Sequence, residues 1–433
     1  MKIVMLGAGS SVFAKNVLGD TLLSENMDNY EIALLDIDAT RLEESYVVIK
    51  ALRDKYRPNV KISKYLANDA KTAFSGANYV INAIQVGGYE PCTVTDFEVP
   101  KKYGLRQTIA DTLGIGGIFR GLRTIYVLEK YARIMEEVCP NAYFLNYTNP
   151  MSILTMFMSK HTKVKTVGLC HSCQVVVSAI NKDLKLAELE NATFKLAGIN
   201  HMCWLLELKD KNGKDLYPLF KKTFNEVKPN WDLVRLEMMN RFGYYNTESS
   251  EHTSEYHPYF IKKDHPELIE RFNIPLDEYP RRCIDQIKKW KEQKEKMLNP
   301  ENVEHTRSRE YCSHIIEAIE TGVPYKIHAN VMNNGLITNL PSTACVEVPI
   351  LVDENGFSPC FVGELPIALA SLNMQHIAVH ELTVKGAVER KKEYVYQAAY
   401  LDPHTRDQLT LDEIKSLCDD LFEAHKDWLP TYE

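Results

Sequence analysis

The chain has no apolar run approaching the roughly 20 residues that cross a bilayer, and no basic segment followed by an apolar core at its N-terminus. Neither a membrane span nor a secretory signal is expected, and the cytoplasm is the default compartment. Positive charge is in deficit: 51 Lys and Arg face 58 Asp and Glu, a formal net charge of −7, so a nucleic-acid surface is not expected. Internal repeats and low-complexity tracts are absent. Ten cysteines are present, but they are scattered and only Cys170 and Cys173 form a Cys-x-x-Cys. That pattern describes neither a disulfide framework nor a four-cysteine zinc site. Most of these thiols are expected to be buried small hydrophobes. Asn191-Ala-Thr193 matches a glycosylation sequon, which has no meaning without secretion.

What is present is ordinary for a large globular protein: 433 residues, 45% hydrophobic and 25% charged, enough for two domains. Lys2–Leu6, Ile32–Leu35, Val60–Tyr65, Tyr79–Ala83, Tyr143–Leu145 and Thr166–Gly168 are short strand-like runs. They alternate with helical patterns over Ala14–Leu23, Arg41–Tyr56 and a segment ending before Pro140. Such alternation predicts an α/β fold with a Rossmann-like, doubly wound parallel sheet. From about residue 195 the pattern changes to Met202–Leu208, long polar helices and aromatic loops. Residues 1–195 are therefore read as a dinucleotide-binding domain, and 196–433 as a mixed α+β domain for substrate binding and oligomerisation. The Lys-dense Ile284–Met297 reads as a solvated helix face.

Gly7-Ala-Gly9 sits directly after the first strand and before a helix, the context a dinucleotide fingerprint requires. Gly7 would permit the tight turn, and Gly9 and Ser10 would let a pyrophosphate approach the helix N-terminus. Val12 replaces the third glycine, which would loosen helix–strand packing there. Asp36 ends the second strand, where it would accept a ribose 2′-hydroxyl and favour NAD; Asp38 is a near competitor. Asn82, at the end of the Tyr79–Ala83 strand, is a further candidate cofactor contact.

Ligands of open α/β sheets bind beyond the carboxyl ends of the strands. Four polar loops fall there: 85–89, 107–117, 146–150 and 169–172. Asn146 and Asn149 offer donors and acceptors to a polyhydroxylated ligand. Asp111 would hold a substrate hydroxyl or support a metal shell, and Gly114, Gly116 and Gly117 would allow close approach of a ligand. Asn149-Pro150 also reads as a helix N-cap followed by Pro at the first helical position. Cys170 ends a strand in this cluster, and Asn200-His201 precedes a strand that can fold back over it. A thiolate and an imidazole suit a transition metal, and two protein ligands leave positions open for substrate. Singly, each residue is more often structural. The segment 244–256 adds Glu248, Glu251, His252, Glu255 and Tyr256, any of which could supply a base, although an exposed acidic loop has the same composition.

Asn146-x-x-Asn149-Pro150, Thr155 and Lys165-x-Val-Gly168-x-Cys170 together resemble the signature of glycoside hydrolase family 4. Gly7-Ala-Gly-Ser10, the Asp111 loop and Gly198-Ile-Asn-His201 sit where that family has them. The resemblance extends through Asn334–Pro341 and Phe361–Pro366. It is an NAD-dependent exception to two-carboxylate glycosidase chemistry. It implies oxidation of the sugar at C3 by NAD⁺, removal of the acidified C2 proton, loss of the glycosidic oxygen, addition of water and return of the hydride. It further implies that Cys170 and His201 ligate Mn²⁺, with Co²⁺, Ni²⁺ or Fe²⁺ as alternatives. Asn149 would hold substrate, and Tyr256 would be the C2 base, with Glu251, His252 and Glu255 as alternatives.

His171 stands where phosphosugar-specific members have Asp or Asn, and it would serve as the acid on the leaving oxygen. Cys170-His-Ser172 resembles the branch acting on unphosphorylated sugars, and Tyr279-Pro-Arg-Arg282 with Ser249–Phe260 is most similar to bacterial α-galactosidases of melibiose and raffinose use. Arg282 is carried over as a substrate contact. Since arginine suits carboxylates, an α-galacturonidase remains an alternative, beside an α-glucosidase. Outside the family, the competing readings are an NAD-dependent 2-hydroxy acid dehydrogenase and an NAD-holding sensor. The expected partner is a small α-galactoside, and the expected assembly a homodimer or homotetramer.

Overall fold

In the computed structural model, which describes residues 1–433, one twelve-stranded sheet runs through the chain. Its first half comprises β1 (Lys2–Leu6), β2 (Glu31–Asp36), β3 (Lys61–Leu66), β4 (Tyr79–Asn82), β5 (Tyr143–Asn146) and β6 (Lys165–Gly168). All pair in parallel in the order 3-2-1-4-5-6, the doubly wound dinucleotide-binding arrangement. The near-continuous apolar runs of these strands follow from burial on both faces. Ile3, Met5, Ile32 and Leu34 enter one core, and their neighbours Val4, Leu6, Ala33 and Leu35 enter the other. That alternation is the period of two of an extended chain.

The second half adds β7 (Thr193–Ile199), β8 (Met202–Lys209), β9 (Tyr245–Asn246), β10 (Tyr325–Met332), β11 (Cys345–Asp353) and β12 (Gly356–Pro359). These strands extend the same sheet by antiparallel pairing, in the order β6-β10-β11-β7-β8-β9, with β12 on β11. The parallel sheet is thus followed by a mixed α+β portion. Position 195/196, where the sequence pattern changes, lies inside β7. A single cross-sheet row links Gly168, Asn330, Glu347, Gly198 and Cys203 on five successive strands. A third core packs helices 172–184 and 217–227 around β7 and β8 through Val176, Val177, Leu205, Phe220 and Phe224. No helix is long and apolar enough to cross a membrane.

Candidate active site

At the end of β1 the chain turns through Gly7 at φ +86°. A side chain there would meet the Ala83 carbonyl at 2.8 Å. Asp36 Oδ2 accepts the Gly9 N–H at 2.6 Å, so the acid at the end of β2 braces the loop expected to meet a pyrophosphate. Asp38 instead caps the next helix by accepting from Thr40 and Arg41. Ser10 occupies the N-cap of helix 11–23 without a side-chain cap bond, and no acid stands in the first turn. Free helix N–H groups there suit an anion, and the exposed Ile37 beside Asp36 offers an apolar surface. These features fit NAD. Val12 is 54% exposed and so does not sit at the helix–strand contact where the missing glycine was expected to matter.

The amides of the sheet end divide into two kinds. Asn146, expected to offer itself to a ligand, is instead internally bonded: Oδ1 accepts from Asn82 Nδ2 and Thr148 N–H, and Nδ2 donates to the Thr148 carbonyl. Asn82 is fully buried and keeps only Oδ1 without a partner. Asn149 does not cap a helix, as Pro150 holds the N-cap and the helix starts at Met151. Its Nδ2 donates to Asp111 Oδ2 at 3.2 Å, and its buried Oδ1 has no partner. The orphaned acceptor points to an absent ligand.

His201 and Asn200 are the two residues of the turn joining β7 to β8, whose last pair is Ile199 and Met202. The turn puts His201 at φ +63°, a strained conformation of the kind found at functional sites. Its ring is buried, with Nδ1 2.8 Å from Tyr256 Oη and Nε2 3.3 Å from Glu248 Oε2. Ligand atoms of Cys170, His201 and Glu248 all lie within 4.8 Å of one another, as do those of Asp111, His201 and His252. Burial pushes the Cys170 thiol up and the Tyr256 phenol well up, with Glu255, Asp111 and Glu248 acting in the same direction. Burial would also raise Glu248, but His201 and His252 outweigh it and hold the carboxyl below its usual range. A thiol, an imidazole and a carboxylate turned on one point fit a divalent transition cation. Such a cation is also what would make the thiolate, and a phenolate beside it, accessible.

Glu248 and Tyr256 reach this point from opposite ends of one feature. Asn246 ends β9 against Trp204 of β8, and helix 250–256 follows directly. In that helix Glu255 faces the opposite way. Its carboxylate accepts the backbone N–H groups of Thr108 (2.8 Å), Ile109 (3.2 Å) and Ala110 (2.9 Å), the last at φ +54°. Both oxygens are occupied, so Glu255 anchors the loop that presents Asp111. Gly116 and Gly117 serve that same loop: added side chains would meet the Ala110 carbonyl at 2.4 Å and the Thr112 backbone at 2.6 Å. They admit the helix 114–138 to the loop, where a ligand contact had been expected.

His171 sits at the N-cap of helix 172–184, its Nε2 2.6 Å from Glu310 Oε1. Burial lowers its pKa, but Glu310 outweighs that and leaves it raised. Glu310 is itself held through Ser308, whose backbone N–H and hydroxyl donate to the buried Asp20 of helix 11–23. Arg282 is half-exposed and paired with Glu278 (2.9 Å) and Glu251 (2.8 Å); Arg281 pairs with Glu278 and the Leu276 carbonyl. Neither guanidinium presents an unpaired fork. Glu248 as a third candidate metal donor, Glu255 as an anchor and Glu310 as the partner of His171 were not legible as such. Each acts on a residue distant in sequence.

Residues 2–186 match the profile of the family 4 glycosyl hydrolases, and residues 196–405 match the C-terminal domain of the same family. The chain belongs to glycosyl hydrolase family 4. It is 57% identical to the α-galactosidase of Bacillus subtilis (strain 168) over 434 residues, covering 100% of both chains. It is 33% identical to the α-galactosidase of Rhizobium meliloti (strain 1021), covering 100% of this chain and 89% of that one. The 6-phospho-beta glucosidase of Thermotoga maritima, solved with manganese, NAD⁺ and glucose-6-phosphate, shares the fold at a TM-score of 0.81 and 23% identity, with 100% of each chain covered. The protein is thus a glycoside hydrolase, homologous to α-galactosidases.

Proposed function

We propose that this family 4 member is an NAD- and Mn²⁺-dependent α-galactosidase of unphosphorylated α-galactosides of the melibiose and raffinose type. It acts by C3 oxidation, C2 deprotonation, elimination and water addition. The observation that carries the mechanism is the Tyr256 hydroxyl held 2.8 Å from His201 Nδ1 while Cys170, His201 and Glu248 converge. The substrate class follows the full-length similarity to the Bacillus subtilis α-galactosidase.

When bound, NAD⁺ would supply the hydride acceptor for C3 and Mn²⁺ the polarisation of the C2 and C3 oxygens. Gly7, Gly9 and Ser10 would hold the NAD⁺ pyrophosphate, Asp36 would meet its ribose, and Asn82 is a further candidate contact through its unpartnered Oδ1. Cys170, His201 and Glu248 would hold the cation. Asn149 Oδ1 and the Asp111 carboxylate orient sugar hydroxyls. Tyr256 Oη, as the phenolate that a bound cation would favour, would take the C2 proton, with His201 holding it in place. His171 hands a proton to the glycosidic oxygen, poised by Glu310. Glu251 shares the helix of Tyr256 and is the alternative for the C2 proton, although it is paired with Arg282. With both arginines paired to glutamates, a galacturonate carboxylate has no free partner there, which favours the neutral sugar.

In this reading residues 1–195 bind NAD, residues 196–433 bind substrate and build a homodimer or homotetramer, and the enzyme works in the cytoplasm without nucleic-acid or membrane partners. The test is a panel of nitrophenyl α- and β-glycosides, with and without a 6-phosphate, assayed with NAD⁺, Mn²⁺ and a reductant. Cleavage of the unphosphorylated α-galactoside without net NADH is expected. Activity that survives both chelation and removal of NAD, or a preference for the phosphorylated sugar, overturns the proposal.

A further inference from the structure

A second donor set lies beside the one just described and takes no part in the proposed reaction. The cross-sheet row that carries Gly168, Asn330, Glu347, Gly198 and Cys203 places one carboxylate on β11 and one thiol on β8, on either side of β7. The intervening Gly198 has no side chain to separate them. Helix 172–184 lies over these strands and contributes Cys173 from its first turn. Ligand atoms of Cys173, Cys203 and Glu347 all lie within 4.8 Å of one another, and all three residues are buried.

Glu347 is fully buried, yet no Lys, Arg or His pairs with it. Its Oε1 accepts only a 3.4 Å bond from Asn330 Nδ2, and its Oε2 has no partner. The neighbouring amides are equally unfinished. Asn330 Oδ1 lacks a donor, and Asn200, also fully buried, has neither a donor for Oδ1 nor an acceptor for Nδ2. Unsatisfied polar atoms at zero exposure are rare in native proteins, and each asks for an unseen partner. An apolar filler leaves them unsatisfied, whereas a cation held also by the two thiols satisfies the carboxylate and an amide oxygen together.

We propose that Cys173, Cys203 and Glu347 form a second, structural divalent-cation site of the zinc type, with an amide oxygen of Asn330 or Asn200 in the fourth position. Two thiolates and a carboxylate are a zinc donor set, and contraction by about an ångström would close the observed spread onto Zn–S bonds of about 2.3 Å. On binding, each thiol releases its proton to solvent and no electrons move. The site differs from the Cys170–His201–Glu248 centre in purpose. It is closed, has two sulfurs and no room for a sugar, and would clamp helix 172–184 onto β8 and β11 beneath the catalytic loops. The inference stands whatever sugar the enzyme prefers.

The test uses the full chain, stripped with a chelator and titrated with Co²⁺ as the probe, and reads cations bound per chain together with the thiolate-to-cobalt charge-transfer band. Wild type is expected to bind two. Cys170→Ser should keep one cation with an intense two-thiolate band. Cys203→Ala, and separately Cys173→Ala, should keep one cation with a weaker band. A single cation per chain in wild type, lost with Cys170→Ser and untouched by Cys203→Ala, overturns the proposal. Should a variant fail to fold, X-ray absorption of zinc-loaded wild type decides: more than one sulfur per ion supports the site, and one or fewer refutes it.

Discussion

Replacing Glu255 with alanine tests how the fold positions the site. Three buried N–H groups, of Thr108, Ile109 and Ala110, lose their acceptor at once. Each buried donor left unsatisfied costs about 1–3 kcal/mol, so the variant should lose at least about 3 kcal/mol even if water enters. The loop would relax toward less strained backbone at Ala110, which carries φ +54°. Asp111 would then no longer be aimed at Asn149. A misplacement of about 1 Å can cost 10²-fold, and here the loss should appear mainly in KM. Glu255→Gln keeps one acceptor oxygen and should fall between alanine and wild type.

A pH arm sharpens this prediction. Burial pushes the Glu255 carboxyl up to about 7, against the pull of the three N–H donors. A carboxyl raised above its unfolded value of 4.5 contributes stability that is complete below 4.5 and is lost as pH rises through 7. The difference is about 3 kcal/mol at 1.36 kcal/mol per pKa unit, and it should vanish in Glu255→Gln. Urea unfolding at pH 5 and 8, with Michaelis constants on nitrophenyl α-galactoside, measures all of it. If Glu255→Ala keeps its stability and KM and loses only kcat, the residue is the base and not the anchor.

Tyr256→Phe should lower kcat by about 10²- to 10⁴-fold, the range for a general base, and abolish exchange of the C2 proton for deuterium. Retained exchange would move the role to a neighbour. His171→Ala should slow melibiose far more than nitrophenyl α-galactoside, because nitrophenolate leaves without protonation. Equal slowing of the two would refute His171 as the acid. Burial holds His257, His328 and His380 down to about 3. Folded values below the unfolded 6.5 mean stability that is full above pH 6.5 and drains as pH falls toward 3. His380 has no partner at either ring nitrogen, so His380→Leu should raise the melting temperature and flatten the acid limb of the stability curve. An unchanged acid limb refutes its burial as a neutral ring.

The nucleotide-binding half was legible because its signals are local. Strand, glycine turn, helix and strand-terminal acid follow one another within Lys2–Asp36, and the core alternates with period two in β1 and β2. Cys170, Asn149 and His201 stood out by residue type and position, and the family signature joined them into one candidate site. Other parts depended on three-dimensional pairing that no local pattern carries. Antiparallel β10 joins β6 and turns two expected units into one sheet. Residue type alone also misled: Asn146 and the glycines 116 and 117 are types common at ligand sites but serve internal contacts.

By itself, the amino-acid order determined the parallel half-sheet, the Gly7 turn and the residue types able to hold a cation and a sugar, since periodicity and turn chemistry act over a few residues. Only tertiary structure decided which of those groups meet. Glu255 reaches Thr108 across 147 positions and Glu310 reaches His171 across 139. The His201 turn stands over Cys170 because β7 and β8 pair beyond β11. Such contacts are selected by burial and strand register over the whole sheet, and it is register that sets Glu248 beside His201 and Tyr256.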